Sequence, residues 1–141
     1  MKWKIAPWIF VAILLGVAFY AHFARRAQSP PQTRAIACAD VAQGCAFDFR
    51  GQAAQVRFSR PPSAMQSFAL TVKAPGARAV AVDFQMPDMD MGENRYVLKQ
   101  VQPGVFTAEN VVLPVCAHGG VSWAANLRVD EATYTLPFSV R

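Results

Sequence analysis

The chain has 141 residues, an apolar share of 53%, and 14 Lys and Arg against nine Asp and Glu, which leaves room for one ordinary domain. Four of those cations, Lys2, Lys4, Arg25 and Arg26, flank an apolar block at the N-terminus; beyond Ala27 ten Lys and Arg face all nine acids. A domain so nearly neutral carries no basic stripe, and nucleic acid is excluded as a partner class.

From Ile5 to Ala24 the chain reads IAPWIFVAILLGVAFYAHFA, with His22 its only strongly polar side chain. About 20 helical residues rise roughly 30 Å, the hydrocarbon thickness of a bilayer. Lipid offers the backbone no hydrogen-bond partner, so the run is expected to be helical throughout. Pro7 falls in the first turn, where a missing N–H costs little. A removable signal peptide would have a shorter apolar region and small residues at a cleavage site. Here Arg25 and Arg26 follow the run directly, which predicts a retained transmembrane signal-anchor over 1–26. A polar, proline-bearing linker is expected over 27–35 and a folded domain over 36–141.

The cations on the two sides of the anchor nearly balance, so the positive-inside rule does not orient it. Cysteines do. Cys38 and Cys45 form a C-x6-C pair that suits a local disulfide and lacks the C-x2-C step of zinc sites. A disulfide needs an oxidising compartment, which places the domain outside the cytoplasm, behind a single-pass anchor.

Beyond Ile36 short alternating runs predict seven strands: 52–60, 67–73, 79–86, 94–101, 105–113, 121–129 and 133–140. Turn residues separate them, as in RPPSAMQ, APGAR, MPDMDMGEN, QPG, PVCAHGG and DEA. Seven strands at this spacing predict an all-β, immunoglobulin-like antiparallel sandwich. Phe58, Phe68, Phe84, Tyr96, Phe106, Trp123 and Phe138 are its expected core aromatics. The inter-sheet disulfide of true immunoglobulin domains is absent, so the architecture is expected without membership of that family.

The densest chemistry lies at Met86-Pro-Asp-Met89-Asp-Met91-Gly-Glu-Asn94. Apart from the initiator the chain has four methionines, and three fall here. Thioethers are soft ligands that suit Cu(I) and are poor for Mg, Ca or Mn, and M-x2-M-x-M lets one turn aim several sulfurs at a point. A second segment, Pro114-Val-Cys116-Ala-His118-Gly-Gly, offers a thiol and the domain's only imidazole, both of which suit copper. If the seven strands alternate up and down, the loops after the first, third and fifth open at one end, gathering Met65, Met86, Met89, Met91, Cys116 and His118.

Structural readings stand beside these. Met86 ends the inward run Val80, Val82, Phe84, so packing and ligation fit it equally; Met65 reads as packing. Cys116 could be a buried hydrophobe or could pair with Cys38 or Cys45, and His118 could be an ordinary surface residue. Asp88, Asp90 and Glu93 do not make an EF-hand loop, whose sixth place needs Gly and twelfth Glu; Glu93 and Lys99 stand there. No nucleophile elbow, phosphate-cradling loop or H-E-x-x-H is present, so the protein is not expected to be an enzyme.

The stretch VAVDFQMPDMDMGENRYVLKQVQPGVFTAENVVLPVC resembles the FixH/YtkA-like group of membrane-anchored periplasmic domains. That group carries a strand running into an M-P-x-M-x-M-G turn, a G-x-F/Y-x-A segment, a strand ending near L-P, and a Trp-bearing strand. The resemblance covers residues 80–129 and the anchor arrangement. It implies a β-sandwich and a role in copper supply, as carrier or chaperone, or in assembly of a haem–copper respiratory oxidase. Met86, Met89 and Met91 correspond to its turn. A rival expectation is a structural or assembly subunit whose methionine loop is a protein-contact surface without metal.

Overall fold

The computed structural model describes residues 6–27, 33–87, 89, 92, 94–114 and 121–140. The chain divides after Pro31 into two compact units. The first contains α1 (Ala6–Ala27), 22 residues long. Among the described residues no helix is long and apolar enough to cross a membrane.

Among the described residues the second unit is all β, with ten strands where the sequence predicts seven. They are β1 (Thr33–Ala35), β2 (Cys45–Phe49), β3 (Gln52–Phe58), β4 (Phe68–Lys73), β5 (Val80–Gln85), β6 (Arg95–Val97), β7 (Lys99–Gln102), β8 (Val105–Val111), β9 (Ser122–Val129) and β10 (Ala132–Ser139). One sheet has the order β1-β10-β9-β5-β6 and the other β2-β3-β4-β8-β7. All pairings are antiparallel except β1 with β10.

Alternation explains why these runs form strands. In β4 and β5 every second residue (Phe68, Leu70, Val72; Val80, Val82, Phe84) is buried while its neighbours are not, the mark of a strand with one face on a core. The two inner faces meet through aromatic rings. Phe58 stacks on Phe68 at 5.0 Å and meets Phe138 of the other sheet edge-on at 5.3 Å; Phe84 meets Tyr96 at 6.0 Å. Six of the seven expected core aromatics are buried, and Tyr96 packs against the core half-buried. Tyr134, which the sequence does not single out, is 2% exposed and crosses between sheets, its hydroxyl donating to Asp48 O at 2.8 Å.

Three expectations need correction. The run 94–101 is two strands on different sheets: β6 pairs with β5, β7 with β8. Leu98 is the crossing point, its side chain buried and its N–H bonded to Val80 O at 2.9 Å. Thr33–Ala35, placed in the linker, is a strand whose N–H and C=O groups extend the sheet beside β10. All three of its residues are exposed, so no hydrophobic alternation announces it. Cys45–Phe49 is also a strand, burying Cys45 and Phe49. Cys38 and Cys45 form the expected disulfide.

One end of the sandwich is organised by Asp130 in the β9–β10 turn. Its Oδ1 accepts from the N–H groups of Arg78 and Ala79 at 2.9 and 3.0 Å. Oδ2 faces the Arg50 guanidinium at 3.2 Å as an ion pair without hydrogen-bond geometry. Desolvation pushes the carboxyl's pKa upward, but the two N–H donors and the charges of Arg50 and Arg78 outweigh it and hold the pKa below the ordinary value. Arg50 and Gly51 form the two-residue β2–β3 turn with φ of 54° and 76°, the positive pair that a type I′ hairpin requires. Arg50 tolerates this while its guanidinium lies 4.8 Å from the Phe49 ring centre.

Candidate metal centre

The opposite end carries Met65, Met86 and Met89, the described members of the set singled out for copper. Antiparallel register makes β3 and β8 run the same way through β4, so the loops after both open together. A direct bond joins them: Met65 N–H donates to Leu113 O at 3.1 Å. Pro61 and Pro62, from the loop after β3, line one cleft of about 560 Å³ with Pro87, from the loop after β5, and with Ser122 at the start of β9. The disulfide loop at Cys38–Val41 and the end of β10 complete its walls, and Trp123 and Phe138 contribute aromatic surface. The expected gathering of three loops therefore holds for their described portions. The sheet switch at Leu98 leaves this intact, because β8 still runs antiparallel to β7.

The methionine loop leaves β5 through a tight turn. Met86 and Met89 form an isolated antiparallel bridge, with Met89 N–H donating to Met86 O at 3.3 Å. Met86 keeps the inward parity of Val80, Val82 and Phe84, is 9% exposed, and belongs to the core. Met89 is 37% exposed and Met65 68% exposed. Met65 is thus on the surface, against the packing reading, because its backbone is left-handed (φ 59°) and turns the side chain out of the sandwich. Met91, Cys116 and His118, with Asp88, Asp90 and Glu93, lie outside the described residues.

Two features of the site escape a sequence reading. Asn94 closes the base of the methionine loop: its Oδ1 accepts from Phe84 N–H at 2.8 Å and its Nδ2 donates to Phe84 O at 2.6 Å. The β5–β6 ladder ends at Asp83 and Arg95, and on that side the side-chain amide takes the place of a backbone partner for Phe84, fixing where the loop begins and ends. Tyr96 does similar work on the next loop, its hydroxyl lying 3.2 Å from Val112 O and 3.4 Å from Val112 N. An Asn after a turn and a Tyr in a strand were the available signals, and neither names its partner.

Chemically, the end offers exposed thioethers on rigidly based loops. The described residues contain no group of three His, Cys, Asp or Glu able to hold a metal. With Cys38 and Cys45 joined, neither is available to a metal or to Cys116.

Fold and site together define a two-sheet β domain with methionine-bearing loops at one end. The chain matches no known protein family, no characterised protein and no solved structure.

Proposed function

We propose that this protein is a membrane-anchored periplasmic copper-binding domain of the FixH/YtkA-like kind. It takes up one Cu(I) at its methionine-bearing end and delivers it to a membrane partner such as a haem–copper oxidase, or holds it in reserve. The observation that carries this reading is the meeting of the loops after β3, β5 and β8 at one end, with exposed Met89 on one of them.

The remaining parts agree with it. The strand orders β10-β9-β5-β6 and β3-β4-β8-β7 fit an immunoglobulin-like arrangement with β1 and β2 added at its edges. The 22 residues of α1 amount to about 33 Å of helix, and their sequence up to Arg25 is apolar apart from His22, in keeping with an anchor. The disulfide is in keeping with an oxidising space, where a thioether remains a usable ligand. Thioether sulfur carries no proton at neutral pH, so it binds a soft cation without competition from protons, unlike thiolate or imidazole. Neutral ligands also release the ion more readily than a closed thiolate cage, which suits a carrier.

Titration of the full chain in detergent with Cu(I), against a competing chelator, tests the proposal. One-to-one binding that disappears in Met89→Ala/Met91→Ala supports it; affinity unchanged in that variant removes the methionine site. The second reading, a protein-contact surface, draws on Met65, Met89, Val112 and Val121, which expose apolar side chains on the loops at this end. It predicts no Cu(I) binding and loss of a membrane-protein partner in the same variant.

A further inference from the structure

We infer that Met65 is a further thioether ligand, supplied by the loop after β3 to the same soft ion that Met89 meets from the loop after β5. The inference rests on the copper reading above and extends it to a residue outside the methionine turn.

Neither packing nor backbone demand accounts for a methionine at position 65. The side chain is 68% exposed, so it fills no core space. Its φ of 59° is one that long side chains rarely adopt and that Gly or Asn meets with less strain. The backbone is nevertheless held there from two directions. Met65 N–H is bonded to Leu113 O, and the next residue's N–H, that of Gln66, bonds to Ser63 O at 3.3 Å. The loop thus presents a flexible, soft sulfur outward from a fixed base, at a position where a smaller residue would cost the fold less.

The loop that carries Met65 opens at the same end of the sandwich as the loop that carries Met89. The loop after β3 belongs to one sheet and the loop after β5 to the other, and their prolines, Pro61 and Pro62 against Pro87, share a cleft. Met65 is moreover bonded to the strand exit that leads toward Cys116 and His118. A site assembled from both sheets would draw neutral sulfur from separate rigid bases, a donor set that favours Cu(I) or Ag(I) over hard divalent cations.

The full chain in detergent is titrated with Cu(I) beside Met65→Leu, which keeps the side chain's bulk and removes its sulfur. In parallel, Ag(I) is titrated while the methionine ε-methyl resonances are followed by NMR. The expected result is Cu(I) affinity lowered about tenfold or more, a scale on which even outer-shell changes act at metal sites. The Met65 methyl resonance should move together with that of Met89, and the variant's melting temperature should be unchanged. Unaltered affinity in Met65→Leu, or a Met65 methyl that stays fixed at saturating Ag(I) while Met89 moves, overturns the inference and leaves the copper reading standing. Absence of Cu(I) binding by the unsubstituted chain overturns both.

Discussion

Replacing Asn94 by Ala should loosen the methionine loop at its base. The side chain makes two hydrogen bonds to the same residue, Phe84, at 2.8 and 2.6 Å, and both are partly buried. A net hydrogen bond is worth about 0.5–1.5 kcal/mol, and a donor or acceptor stranded away from water costs more. Asn94 itself is half-buried at the base of the loop, so water can reach the vacated bonds in part. The loss should therefore be about 2 kcal/mol, or a fall in melting temperature of about 10 °C for a domain of this size. Urea unfolding reads the free energy through the midpoint at constant slope, and amide exchange at Phe84 reads the lost donor partner directly. Asn94→Asp gives a sharper version. An ionised carboxylate still accepts from Phe84 N–H but sets a second oxygen against Phe84 O, which raises the group's pKa in the folded state. That variant should regain stability as the pH falls through the raised pKa, when the carboxyl can donate again. A change below about 0.5 kcal/mol in the Ala variant, with exchange at Phe84 unaltered, would refute the reasoning.

Asp130→Ala should cost about 2–3 kcal/mol by denaturant unfolding, because the Arg78 and Ala79 N–H groups lose their acceptor. The lowered pKa of Asp130 fixes the sign of a pH effect. Its stabilisation is present above the unfolded-state value of about 3.9 and fades as the pH falls through the lower folded value; Asp130→Asn should remove that part of the acid limb. Arg50→Ala should cost under about 1 kcal/mol, since the Arg50 side chain of the ion pair is 55% exposed. Reducing the Cys38–Cys45 bridge, whose partners are seven positions apart, should cost about 2.5 kcal/mol on loop-closure grounds. Thiol counting on the denatured chain should give one free group before reduction and three after, and three free groups beforehand would contradict the bridge.

Much of the β domain is legible in the sequence because burial alternates along it. Phe68, Leu70 and Val72, or Val80, Val82 and Phe84, declare both a strand and its inward face. The alternation stops being informative at Leu98, where inward parity persists from Tyr96 while the chain passes to the other sheet; parity reports a face, not a sheet. It is silent at Thr33–Ala35, whose three side chains all meet solvent. Bonds from side chain to distant backbone are also beyond its reach. Asp130 meets Arg78 across 52 positions, and Tyr134 meets Asp48 across 86. At the candidate site, loop convergence follows from strand direction alone, whereas the outward turn of Met65 depends on a left-handed φ that no pattern of residue types announces. Met86 followed its alternation into the core.

Sulfur coordination is the claim on which the account turns, and X-ray absorption at the copper edge of the Cu(I)-loaded full chain measures it most directly. A first shell dominated by sulfur, and depleted of it in Met89→Ala/Met91→Ala, is the predicted result. A shell of oxygen and nitrogen alone would contradict the account.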